Sequence, residues 1–238
     1  MKRFLLILLL FFCVLFCKGQ SSVIQVNYDY FLLGTLNDYM GREKYKEIVN
    51  RVDEYYQNNK SLVSFLDSIF RDKYTDLIVA ANEKTGRLEL QSKSLAQKMD
   101  DFYFYKPSGR GAYCGEVDFK TLNLDSLTQT PDFYTTYFDS VYTGRIKEDI
   151  FKNDTDRFSF IAGAYIRFGR KNDSLYYIGI ANSISKVRVL TEQLNELKCA
   201  NVEYVMKKGY IPVGHTVYFT PTEELENYFK TIDRMLGM

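Results

Sequence analysis

Apolar and polar positions change period several times along the chain, and each change predicts a change of element. An unbroken apolar run from Phe4 to Cys17 follows Lys2 and Arg3 and ends at Lys18-Gly19-Gln20. Between Gly41 and Asn58, Tyr45, Ile48, Val49, Val52, Tyr55 and Tyr56 fall at helical spacing, with Arg42, Glu43, Lys46, Glu47 and Arg51 opposite. That stripe predicts an amphipathic helix. Leu62, Phe65, Leu66, Ile69 and Phe70 make a second stripe, which Ser61 can cap, so 41–70 reads as an antiparallel helix pair.

The period then shortens. Leu77 to Ala81, the polar Asn82-Glu83-Lys84-Thr85-Gly86 and the alternating Leu88-Glu89-Leu90 predict a hairpin, with Gly86 supplying the positive φ of its loop. Residues 91–101 are compatible with a helix, and 102–156 carry no clear period. The even positions Phe158, Phe160, Ala162, Ala164, Ile166 and Phe168 predict a strand, turned at Arg170-Lys171-Asn172-Asp173 and returned by Leu175 to Ala181. Val187, Leu190, Leu194 and Leu197 predict a helix; Val202, Tyr204 and Met206, then His215 to Phe219, predict strands. The last helix opens on Thr220, Pro221 and Glu223 as N-cap, N1 and N3, with Leu225, Tyr228, Phe229 and Ile232 inward.

Clumped helices and hairpins predict an α+β fold with a mainly antiparallel sheet packed with several amphipathic helices. No repeat or linker stands out, so 20–238 reads as a single domain, with any sub-boundary near 105–112. Residues 1–19 read as a signal peptide, because the apolar run is too short for a ~20-residue membrane span. Cys17 and Gly19 are the small residues that cleavage between Gly19 and Gln20 requires. A lipoprotein signal on Cys17 is the alternative, and bulky Phe16 argues against it. Export to the periplasm or exterior follows as an expectation, with no membrane span after signal removal.

Charge and composition narrow the chemistry. Losing Lys2, Arg3 and Lys18 turns the formal +1 of 31 basic and 30 acidic residues into −2, from which no nucleic-acid partner is expected. A single histidine excludes sites that need several, and neither a metal nor a cofactor is implied. Of four cysteines, Cys114 and Cys199 remain after the leader and are a candidate disulfide of an exported protein, or two separate thiols.

The segment Ser108 to Asp118 is the densest local chemistry. In extended chain Cys114, Glu116 and Asp118 share one face and could move protons, while Arg110 among glycines could meet an anion. The same composition also suits a glycine-rich loop entering an edge strand. His215, the only imidazole, is a catalytic candidate with Cys114 and otherwise a structural residue. Twenty tyrosines and no tryptophan suggest an aromatic contact surface, with Tyr103, Tyr105, Tyr134, Tyr137 and Tyr142 as candidates. The sites at Ser68, Ser126, Ser140 and Ser174 are similar to the Asp-Ser/Thr-apolar acceptor for O-glycosylation of exported proteins in some Gram-negative bacteria. The expectation is an exported domain of the bacterial envelope or exterior that binds a small molecule, glycan or envelope protein. The alternatives are a hydrolase using an acidic or Cys/His site, and a structural component of an envelope assembly.

Overall fold

The computed structural model describes residues 24–45, 50–107, 141–209 and 211–237. Six helices are described: α1 Tyr28–Thr35, α2 Lys60–Phe70, α3 Lys93–Asp100, α4 Asp154–Phe168, α5 Ile184–Glu196 and α6 Glu223–Leu236. Ten strands accompany them: β1 Arg42–Tyr45, β2 Arg51–Tyr55, β3 Ile78–Ala81, β4 Leu88–Gln91, β5 Tyr103–Pro107, β6 Val141–Ile146, β7 Gly169–Asn172, β8 Leu175–Ala181, β9 Ala200–Lys207 and β10 Gly214–Thr220. They form three antiparallel sheets, ordered β1-β6-β5, β2-β4-β3 and β7-β8-β10-β9. The fold is α+β, as the clumping of elements predicts.

Where a helix has one apolar stripe and a polar back, the structure agrees with the sequence. The stripe of α2 buries Leu62, Val63, Leu66 and Phe70, and that of α6 buries Leu225, Tyr228, Phe229 and Ile232. The β3–β4 hairpin closes through Gly86 at φ +66°, where any side chain would be strained. Two starts move. Helix α2 begins at Lys60, behind a short turn at Gln57–Asn59, and the N-cap of α6 lies two residues beyond Thr220, where the Thr222 hydroxyl accepts from the N–H of Leu225.

Two elements are other than expected. The stripe at 41–58 is two strands, β1 and β2, within its described residues. Met40 and Gly41 both take positive φ, which breaks a helix at its start, and β1 pairs with β6 some hundred residues later in the chain. Non-local pairing therefore overrides the local period. The stretch 158–168 is the opposite case, a helix read as a strand. Its odd positions hold Ile161, Gly163 and Tyr165, so α4 is apolar or small nearly all round and periodicity does not discriminate. The side chain of Asn153 caps it by accepting from the N–H of Asp156, and Asp154 and Asp156 sit on its positive end.

Helices α1 and α4 pack on each other through glycine. A Cβ on Gly34 would run into the carbonyl of Phe160 and lie 2.8 Å from the nitrogen of Ala164; one on Gly163 would meet the carbonyl of Phe31. Around this pair the chain repeats itself. The order α1-β1-β2-α2-β3-β4-α3 recurs as α4-β7-β8-α5-β9-β10-α6, and the sheet order β2-β4-β3 matches β8-β10-β9. Only β1 departs, since it pairs with β6 and not β2. The duplication is invisible in residue identity beyond Phe31-Leu32-Leu33-Gly34 and Phe160-Ile161-Ala162-Gly163, where the glycines meet.

Candidate functional site

The C-terminal end of the α1–α4 pair concentrates the buried charge of the molecule. An α-helix leaves its last carbonyls without intrahelical partners and carries negative partial charge there. Here two cations from the second repeat supply what α1 lacks. Lys186 on α5 donates from Nζ to the carbonyls of Leu33, at 3.0 Å, and of Leu36. Arg167, in the last turn of α4, donates to the carbonyls of Thr35 and Glu54 and to Asp53, with its guanidinium 4.1 Å over the ring of Tyr55. Two carboxylates balance them. Asp53 pairs with Arg167 and accepts from the N–H of Asn37 at 2.6 Å; Asp38 faces Lys186 at 3.7 Å and accepts from the hydroxyl of Tyr103 at 2.9 Å.

Burial governs their protonation. Lys186 is fully inaccessible to solvent, and desolvation pulls its ammonium down to about 8 against the attraction of Asp38. Desolvation likewise raises Asp38, although Lys186, Arg42 and the Tyr103 hydroxyl all favour its charged form. The same burial pushes the phenols of Tyr55 and Tyr103 above their ordinary value.

Beside this network lies a pocket of about 360 Å³ lined by Asn37, Arg42, Lys44, Arg51, Asp53 and Asp100 among others. Its floor is the buried Arg42, which donates to the carbonyl of Val52 and packs on the ring of Tyr103. Asp53 is committed to Arg167, Glu54 to Arg87 at 2.7 Å, and Asp100 to Lys44 at 2.9 Å and the hydroxyl of Tyr105 at 2.7 Å. These three carboxylates therefore hold the fold together and are poorly placed to act as a general acid and base. Among the described residues no three His, Cys, Asp or Glu gather as a metal ion would need.

The second feature is the outer face of the β7-β8-β10-β9 sheet. Tyr176, Ile178, Ile180, Val217 and Phe219 point into the core, so the alternate residues of β8 and β10 face away from it. The register lines up Arg170, Tyr177, Tyr218 and Glu203 in one row, with the tyrosine rings 5.7 Å apart. The next two rows are Gly179, Thr216 and Val205, then Ala181, Gly214 and Lys207. An aromatic pair with a cation at one end thus stands beside a floor of small residues.

The residues singled out from sequence scatter. Tyr103 is buried on Asp38, and Tyr105 is half-buried on Asp100. His215 is buried, with Nδ1 2.7 Å from the hydroxyl of Tyr204; burial pushes its pKa down, and Nε2 finds no hydrogen-bond partner among the described residues. Cys199 is buried, and desolvation raises its thiol. Neither is activated as a nucleophile or base. Ser174 sits exposed in the β7–β8 turn, while the Ser68 hydroxyl is engaged with the carbonyl of Phe65. Arg110, Cys114, Glu116, Asp118, Ser126, Tyr134, Tyr137, Ser140 and the leader with Cys17, Gly19 and Gln20 lie outside the described residues. Among the described residues no helix is long and apolar enough to cross a membrane. Sequence reasoning missed Arg167 and Lys186; the signal was a cation inside an apolar stretch, as in Ala164-Tyr165-Ile166-Arg167-Phe168.

No family model and no curated protein matches the chain. Solved structures do. It is similar to I-DmoI in complex with DNA and Mn, at 16% identity and a TM-score of 0.44 over 88% of this chain and 96% of that one. Mesophilic variants from the homing endonuclease I-DmoI align at 16% and 0.44, over 88% and 95%, and I-DmoI with DNA and Ca at 15% and 0.43, over 88% and 89%. Against these neighbours the expectation of an exported envelope domain that binds a small molecule, glycan or envelope protein, with no nucleic-acid partner, is withdrawn, and with it the secreted and periplasmic binding-protein labels. A net charge averages over the chain and is silent on which face carries cations, so it does not exclude a nucleic-acid partner. Likeness at this level assigns this chain neither the DNA nor the ions of those proteins.

Proposed function

We propose that the chain binds nucleic acid on the outer face of the β7-β8-β10-β9 sheet, and holds it without cutting it through the described residues. The observation that carries this reading is the row Arg170, Tyr177 and Tyr218 beside the small residues Gly179, Ala181 and Gly214. Aromatic rings on a sheet face that the other described residues leave uncovered offer stacking platforms to bases, and a guanidinium at the end of the row meets a phosphate. Small side chains let a sugar–phosphate backbone come close to the strands. Cutting is left out of the proposal because the carboxylates at the end of the helix pair, Asp38 and Asp53, are engaged by Lys186 and Arg167.

Fluorescence anisotropy with labelled single-stranded DNA, single-stranded RNA and duplex DNA tests it, each titrated at two salt concentrations. Stacking is worth about 1–3 kcal/mol per base, so Tyr177→Ala with Tyr218→Ala, which removes two platforms, should weaken binding by about thirtyfold or more. Arg170→Gln should weaken it and flatten the salt dependence. No binding of any of the three at low salt, or binding that ignores the tyrosine pair, sinks the proposal.

A further inference from the structure

The four-stranded sheet ends on β9, an eight-residue strand that pairs with β10 on one side and, among the described residues, with nothing on the other. Almost all of it is exposed, Tyr204 and Met206 each at 40%. A long open edge presents unpaired N–H and C=O groups in a row, which proteins ordinarily blunt with proline, bulges or inward charges. The centre of this edge has no proline, and the register irregularity lies at its far end, between Tyr218 and Thr220.

The geometry points to a second copy of this chain as the occupant, paired antiparallel edge to edge about a two-fold axis through Val205. In that register each residue meets the one for which the two numbers sum to a constant. Glu203 of one copy faces Lys207 of the other on the outer side of the sheet, twice by symmetry. Tyr204 faces Met206 on the opposite side, also twice, and Val205 meets its own mate. Opposite charges, an aromatic against a thioether and a β-branched pair are all favourable cross-strand neighbours. Neither Glu203 nor Lys207 has an ion-pair partner within its own described chain, so both are available. An interface in which the same patch meets itself is the closed, isologous kind and does not run on into fibres. The product is one continuous eight-stranded sheet. Its outer face joins the two Tyr177–Tyr218 platforms, and each Glu203, the acid in that row, is neutralised across the axis.

Sedimentation velocity on nuclease-treated protein, at concentrations from about 5 to about 500 μM, tests this without reference to nucleic-acid binding. The protein is expected to pass from monomer to dimer over that range. Glu203→Lys and Lys207→Glu each place like charges opposite one another and should raise the dimer Kd by about tenfold or more. An equimolar mixture of the two variants restores both opposite-charge pairs and should form a heterodimer at the wild-type Kd; the doubly swapped chain should again self-associate. Circular dichroism of each variant confirms folding. A protein that stays monomeric throughout, or a dimer indifferent to both single swaps, overturns the proposal, as does a mixture that fails to associate.

Discussion

Lys186→Met tests whether the buried charges bind the two repeats together. Methionine keeps most of the length and apolar stem of lysine, so packing around α5 changes little. What is lost is the donor to the carbonyls of Leu33 and Leu36 and the counter-charge of Asp38, all in a site closed to solvent. Removing one partner of a buried ion pair typically costs about 3–5 kcal/mol, mostly through the charge left behind. Asp38 then keeps the hydroxyl of Tyr103 and the more distant Arg42. Adding Asp38→Asn removes that stranded carboxylate, so the second substitution should cost much less in the Lys186→Met background than in the wild type, with a coupling of at least about 1 kcal/mol. Urea unfolding followed by far-ultraviolet circular dichroism and tyrosine emission measures all four corners, since the chain has no tryptophan. A loss below about 1 kcal/mol for Lys186→Met, or strict additivity, would refute the reasoning.

The pH dependence follows from the same lysine. Its folded pKa of about 8 lies below the ordinary value of 10.5, so the unfolded chain holds the proton more firmly. Stability should therefore rise from about pH 8, by up to roughly 3 kcal/mol over the full gap. The raised phenols of Tyr55 and Tyr103 work the other way. Their contribution is intact below about pH 10 and is lost above it, which places the maximum near pH 10. Urea melts from pH 7 to 10 on wild type and Lys186→Met check this, and a rise that persists in the variant contradicts it. Gly163→Ala should lower Tm, because a methyl there meets the carbonyl of Phe31 and forces α1 and α4 apart; overpacking of this kind costs about 1–3 kcal/mol. Calorimetry reads it as about 2–4 °C for each kcal/mol, and an unchanged Tm would mean that the helices do not meet at these glycines.

Legibility followed the range of the interactions concerned. Helices α2, α5 and α6, the β3–β4 hairpin and strand β8 were readable because each has one apolar face beside a local turn; β7 was not, since Gly169–Asn172 falls where the sequence predicts a turn. Period and turn chemistry act within a few residues. Strands β1 and β2 were misread because Tyr45, Val52 and Tyr55 suit a helical stripe equally well, and pairing with β6 and β4 decides between them. Helix α4 was misread for want of a polar side. The candidate site was hardly legible at all. Arg167, Lys186, Asp38 and Asp53 lie far apart in sequence; an apolar setting marks Arg167, but nothing local marks the carboxylate that will neutralise it.

By itself the sequence determined the class of fold and most of the elements, because these rest on backbone sterics and on apolar spacing along a single segment. Tertiary structure alone decided the duplication, which repeats an order of elements and not of residues. It also decided the glycine crossing of α1 and α4 and the sharing of α1's terminal carbonyls with cations of the other repeat. Each of these depends on groups brought together across more than a hundred residues, and Coulomb attraction and close packing act on distance in space, not on separation along the chain.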